Sequence, residues 1–285
     1  MTWTIATSVQ ARVKAAFGVL NRAGAETFPK PIALAAYLES LIPPGRTGTV
    51  AINAKGASLF ASAAVDIWLR AIQSLLISAA LTRASPLWAS VAGYYSSHYS
   101  VRGIAHLLGY FTLHRKKVVA QFNVTGGNMT CDFAKKGGGE REHSFYWKIV
   151  HYDPHFASDP LFPLNDDGPT RSDSGHRGRA SYGDHVERIP VFRTLSEREI
   201  KDRIERISEM LDFDAPPIPS WDNYPDIDSV QIVAYQRIIR FRQFLDEILG
   251  TTSRFWDVHR HPPAVRALLD FQVTEQSGLA AASSR

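Results

Sequence analysis

Apolar residues recur at spacings of three and four along most of this chain, and that period predicts helices. Val9, Val13, Phe17 and Leu20 give a first helix over about residues 7–21, with Gly24 as its stop. After the break at Phe28-Pro29-Lys30-Pro31, the residues Ile32, Leu34, Ala35, Leu38 and Leu41 predict a short second helix that Pro43-Pro44 ends. A turn-rich stretch over 45–56 holds a candidate short strand at Val50-Ala51-Ile52. A long apolar helix is predicted over 57–84, with Phe60, Ala64, Ile67, Leu75 and Leu81 inward and Asp66, Arg70 and Gln73 outward. Ser85 then offers a capping hydroxyl and Pro86 suits a first helical position, so the next helix is predicted to occupy 85–109 and to pack antiparallel against its predecessor.

Beyond residue 109 the period changes. His114-Arg115-Lys116-Lys117 through Phe122 is a short basic amphipathic piece. Met129–Phe133 and Phe145–His151 are β-branched or aromatic runs set between glycine-rich turns, which predicts a small inserted β-hairpin. Residues 155–177, rich in Pro, Asp, Gly and Ser, read as a long surface loop. Helical signal resumes at Ser196, where Ser196 and Glu199 form a capping box ahead of Ile200, Ile204, Ile207 and Leu211. A proline-rich connector leads to a helix over 229–249 closed by Gly250. A last short helix is expected after Pro262-Pro263, followed by a tail from 276.

Composition changes this picture little. With 285 residues and 45% hydrophobic content the chain can bury a large core, and 32 basic against 28 acidic residues permit a polyanionic partner without demanding one. The single cysteine, Cys131, excludes an internal disulfide and a cysteine-based zinc cluster. Ten histidines show no metal-ligand spacing, so neither a metal nor a cofactor is expected. The first residues lack a basic-then-apolar leader, and Asp66 and Arg70 interrupt the longest apolar run, so a cytoplasmic protein without a membrane partner is expected.

Two groups of residues carry candidate chemistry. His98, Arg102 and His106 repeat every four residues on the 85–109 helix, a row able to donate hydrogen bonds to an anion, against the bland reading of solvated or internally paired side chains on a helix flank. Arg177, Arg179, Tyr182 and His185 concentrate two guanidiniums, a phenol and an imidazole in nine residues. There the imidazole is suited to deprotonating a ribose 2′-OH and the guanidinium to stabilising a phosphorane. The bland alternative pairs Arg179 with Asp184 or Glu187 and makes the segment a structural pin.

The run Gly93-Tyr94-Tyr95-Ser96-Ser97-His98-Tyr99-Ser100-Val101-Arg102, followed by Leu107-Leu108-Gly109, resembles the helix of bacterial HEPN-domain proteins. The segment His114–Phe122, then Arg179-Ala180-Ser181-Tyr182-Gly183 and Leu195-Ser196-Glu197-Arg198-Glu199, are similar to later family elements in the same order. The resemblance implies an all-α, up-and-down helical bundle of HEPN-like type, here with a small inserted β-hairpin and long loop. Its parts would be an N-terminal helical extension over 1–56, a core over 57–213 with an insertion over 123–177, and a C-terminal helical extension and tail over 214–285.

Active members of that family are metal-independent endoribonucleases, toxins or phage-defence effectors that work as homodimers through an Arg-x(4–6)-His motif. Arg179 and His185 stand in that relation here, with Arg254 and His259 as a second pair outside the matched core. Arg177, Tyr182, Arg102, His98 and His106 would contact RNA. Ala180 and Glu187 occupy places where active members carry a polar residue and a tyrosine. A non-catalytic module that binds a nucleotide, RNA or a protein partner, such as an antitoxin or a defence complex, is the competing expectation.

Overall fold

The computed structural model describes residues 5–23, 31–137, 142–164, 194–219, 226–250 and 253–260. Two long helices form its axis. The first, α3 (Ala54–Leu81), begins where the Asn53 side chain accepts from the Gly56 N–H. The second, α4 (Pro86–Leu107), begins where Ser85 accepts from the Trp88 N–H, with Pro86 in the first turn. Only residues 82–85 separate the two helices, so they return side by side. The Ser96 hydroxyl donates to the Ala71 carbonyl at 2.7 Å and the Ser78 hydroxyl to the Ala89 carbonyl at 2.7 Å, a pairing that fixes an antiparallel arrangement. Buried Ala, Ser and Gly positions let the two backbones come this close, and Ser78 and Ser96 satisfy their hydroxyls on carbonyls of the facing helix.

A third long helix, α7 (Ile227–Leu249), packs across both. Gly93 and Gly103 of α4 leave room for Val230 and Phe241, where a Cβ on either glycine would come within 2.6 and 2.8 Å of those side chains. Trp68 of α3 donates to the Ile238 carbonyl at 3.1 Å and stacks on Phe241. Shorter helices complete the bundle: α1 (Thr7–Ala23) and α2 (Pro31–Leu41) on α3, α6 (Glu197–Glu209) against α3 and α7, and α8 (Arg254–His259), whose Trp256 reaches Trp68. The expected capping box at Ser196 and Glu199 is present. α3 is long and apolar enough to cross a membrane by length and composition, and half of its most apolar window lies inside the fold.

The expectation of an all-helical bundle with one hairpin gives way to a mostly helical fold with a four-stranded antiparallel sheet, in the order β1 (Gly48–Ala51), β4 (Asn128–Lys135), β3 (Val118–Thr125), β2 (Tyr110–Leu113). The hairpin β3–β4 turns on Gly126 and Gly127, both at positive φ as a two-residue turn requires. Val118, Ala120 and Phe122 alternate inward, and Phe122 stacks on Phe60 of α3 at 5.2 Å. Gly109, at φ 90°, swings the chain from α4 into β2; a Cβ there would meet the Phe122 carbonyl oxygen at 2.6 Å.

Two local expectations are corrected. Residues 145–151, predicted as a strand, belong to helix α5 (Glu142–Tyr152). Phe145, Tyr146 and Val150 are buried and Ile149 half-buried, which is the period of one helical face and not of a two-sided strand. Residues 254–259 are helical ahead of the predicted last helix, which falls outside the described residues.

Candidate functional site

α4 presents Tyr94, His98, Arg102 and His106 in one row because they lie four residues apart, and α5 packs across that row. The Tyr94 hydroxyl and His143 Nδ1 are 2.7 Å apart, and the His143 ring stacks on His98 at 3.9 Å with 13° between planes. One turn further along α5, Tyr146 meets the rest of the row. Its ring lies 6.5 Å from His98, 5.2 Å from the Arg102 guanidinium carbon and 5.4 Å from His106. The Tyr146 hydroxyl accepts from the Thr112 N–H at 3.1 Å and sits 3.0 Å from the Thr112 hydroxyl, which ties α5 to strand β2.

The row read as an anion-holding strip is therefore divided by depth. His98 is 2% exposed and His106 1%, whereas Arg102, Tyr95, Tyr99 and His143 are half-buried and reach the margin of the cluster. His106 Nδ1 donates to the Tyr110 carbonyl at 2.8 Å, so its Nε2 carries the lone pair. Burial, and then the neighbouring Arg102 charge, lower its pKa to about 3, leaving it neutral over the physiological range. An imidazole in that state has its one proton committed to a carbonyl and offers none to a phosphate. Arg102 alone of the three keeps a permanent charge near the surface, with its guanidinium over the Tyr146 face.

The proposed catalytic pair, Arg179 and His185, and the neighbouring Arg177 and Tyr182 lie outside the described residues. The approaches to that segment are described on both sides. On the N-terminal side, the turns over 153–164 are clamped to α7. Asp159 and Arg240 form a buried ion pair at 2.7 Å, Arg237 Nε donates to the Leu161 carbonyl at 2.8 Å, and the Arg237 guanidinium covers the Trp147 ring at 4.6 Å. On the C-terminal side, the Leu195 N–H donates to the Ala80 carbonyl at 3.1 Å and Arg203 of α6 holds Gln231 and Asp228 of α7. A depression of about 90 Å³ here, lined by Thr82, Arg83, Leu195, Glu199, Asp202 and Arg206, is far smaller than the roughly 300 Å³ or more of a small-molecule site.

The alternative pair, Arg254 and His259, lies at the two ends of α8. His259 Nδ1 is bonded to the Phe255 carbonyl at 2.8 Å within α8, and Arg254 is exposed. Cys131 is buried in β4, and desolvation, with Asp132 beside it, pushes its thiol up to about 12. Among the described residues no group of three His, Cys, Asp or Glu side chains is placed to hold a metal ion.

Sequence reading singled out the α4 row but missed His143 and Tyr146, which complete the cluster, because residues 145–151 were read as a strand. The helical spacing of Tyr146 and Val150 was the available signal. Comparison of the chain with protein-family models, with curated proteins and with solved structures returns no match.

Proposed function

We propose that this chain is a HEPN-type, metal-independent endoribonuclease, a cytoplasmic homodimer acting as a toxin or phage-defence effector. The observation that carries the reading is the position of the Gly93–Arg102 run. The residues that resemble the family are those at which α3, α4 and α7 meet, with Gly93 admitting Val230 and Ser96 bonded to Ala71. The similar residues thus lie where α4 packs antiparallel to α3 and parallel to α7, and the partly exposed Arg102 stands at the margin of that packing.

In this reading His185 removes the 2′-OH proton, the oxygen attacks the adjacent phosphorus, and Arg179 stabilises the charge on the phosphorane before the 5′-oxygen leaves. Arg177 and Arg102 hold the flanking phosphates and Tyr182 lies against the RNA. The chemistry asks for no metal.

The test is cleavage of RNA by the purified chain. Cleavage is expected to persist in chelator, to fail on RNA with a 2′-deoxy position at the cut site, and to be abolished by His185→Ala and by Arg179→Ala. Cleavage of the deoxy substrate, or full activity of His185→Ala, refutes the mechanism. A second reading, a non-catalytic module that binds RNA or a protein partner, is favoured by the four-stranded sheet, three of whose strands come between α4 and α5 in the chain, and by the inward turn of His98 and His106. It is the conclusion if wild type binds RNA without cutting it.

A further inference from the structure

The strand order and register bring one end of every strand together: the start of β1, the end of β4, the start of β3 and the end of β2, through the pairs Gly48↔Phe133, Val118↔Lys135 and Leu113↔Val118. That end is basic on every segment that reaches it. Arg46 precedes β1, Lys135 closes β4, and Arg115, Lys116 and Lys117 make the turn from β2 to β3, all five exposed. Backbone and side-chain bonds lock the three segments to one another. Arg46 Nη1 donates to the Lys116 carbonyl at 3.2 Å, and the Lys136 N–H to the Lys117 carbonyl at 2.9 Å. No ion pair engages any of the five cations among the described residues.

Backbone conformation marks the same place. Arg46 at φ 64° and Lys117 at φ 52° are the two non-glycine residues in left-handed conformation among the described residues. Glycine or asparagine would sit there at less cost, so a cation stands at each position against local backbone preference, and such outliers gather at functional sites.

We infer that this basic sheet end, carried by Arg46, Arg115, Lys116, Lys117 and Lys135, is a binding surface for the phosphate backbone of RNA; the choice of RNA rests on the nuclease reading above. Dimensions fit the partner. Four strands at about 4.8 Å spacing make an edge roughly 15 Å wide, long enough to meet several successive phosphates of one strand. The surface reads charge and not sequence. Its side chains are lysines and arginines at strand ends and turns, and of the two aromatics of β2, Phe111 is buried and Tyr110, at the far end of the strand, has its hydroxyl occupied by Gln121. An anionic membrane is the poorer fit. Among the described residues the exposed large apolar side chains Ile32, Ile77, Trp88, Tyr152, Met210, Ile218 and Val258 all lie off the sheet, so none of them would enter hydrocarbon at this end.

The experiment measures binding of the full chain to a fluorescein-labelled 2′-O-methyl oligouridine, which 2′-OH attack cannot cut, by anisotropy between about 50 and 200 mM salt. Five contacts on a single strand correspond to a log–log salt slope of about −3.5. Arg115→Gln/Lys116→Gln/Lys117→Asn is expected to lose about 2 of that slope and at least about tenfold in affinity at the lower salt. Asparagine at 117 tolerates the left-handed backbone. Arg46→Asn/Lys135→Gln, which leaves the β2–β3 turn intact, is expected to lose about 1.4 of the slope and serves if the triple variant does not fold. Arg198→Gln/Arg206→Gln, exposed on α6, is the control for net charge. Both patch variants binding as tightly as wild type, an equal loss in the α6 control, or no binding by wild type overturns the inference. So does loss of binding to phosphatidylserine vesicles by the patch variants with RNA binding intact, which would assign the surface to lipid. Unchanged RNA binding by patch variants of a protein that still cuts RNA refutes this surface alone, whereas absence of cutting with the patch effect present refutes only the nuclease reading.

Discussion

The Asp159–Arg240 pair allows a quantitative test of what holds the approach to residues 165–193. Arg240 Nε meets Asp159 Oδ2 at 2.7 Å with the two side chains 8% and 3% exposed, and the other carboxylate oxygen accepts from the Leu161 N–H at 3.0 Å. Arg240 also lies over the Phe213 ring and reaches Gln243, so the guanidinium stays largely enclosed if its carboxylate is removed. Breaking a buried pair on one side costs about 3–5 kcal/mol, because the remaining charge stays desolvated. The exposed pair Arg70–Asp66, at the same 2.7 Å but with the arginine 51% exposed, is worth about 0–1 kcal/mol.

Asp159→Ala is therefore expected to lower the unfolding free energy by about 3–5 kcal/mol and Asp66→Ala by less than about 1 kcal/mol. Urea unfolding followed by tryptophan fluorescence measures both, with unchanged slopes as the condition for comparing midpoints. The double substitution Asp159→Leu/Arg240→Met removes both charges and keeps apolar volume, so it should recover most of the loss. Equal effects of Asp159→Ala and Asp66→Ala, or a double variant no better than the single, would show that burial is not what makes the inner pair matter.

Two other outcomes follow from the packing. His106 has a folded pKa lowered to about 3 against 6.5, so the unfolded chain takes up a proton first on acidification; the contribution is full above pH 6.5 and is lost as pH falls toward 3. Between pH 6.5 and 5 this is about 2 kcal/mol, and His106→Phe should flatten that part of the wild-type stability profile in urea titrations; parallel profiles for the two proteins would show that His106 is not held neutral. Gly109→Ala forces a Cβ toward the Phe122 carbonyl oxygen at a φ of 90°, and an unfolding free energy lower by on the order of 2 kcal/mol is expected; a neutral result would mean that β2 can leave α4 along another path.

The helices were legible because their signals are local. Ser85-Pro86, the Ser196–Glu199 box and Gly250 mark ends by chemistry within one turn, and the observed bounds fall within about four residues of the predicted ones. The sheet was not legible to the same degree. β1 pairs with β4, about eighty residues later, and β2 is a four-residue strand whose partner is chosen by Gly109 and the β2–β3 turn. No window short enough to show a period contains those pairings. Residues 145–151 failed for a different reason. An aromatic and β-branched run satisfies either period, and the choice was made by burial against α4, where Tyr146 fits between Arg102 and His106.

The same distinction governs the site. A row of His, Arg and His four apart says that the three share a face, but what that face meets is decided by an element forty residues away. Once α5 lies on it, solvation divides side chains that looked equivalent in sequence. His106 and His98 are enclosed with aromatic rings, and Arg102, longer and permanently charged, keeps its head near water while its plane rests on Tyr146. Arginine survives such a position where histidine does not, because burial can strip the proton from an imidazole but not from a guanidinium. In the proposed reading, the cation of α4 that faces an RNA phosphate is therefore Arg102. The further positive charge that a polyanion needs must come from elements whose cations remain solvated, and among the described residues five such cations converge on the basic end of the sheet.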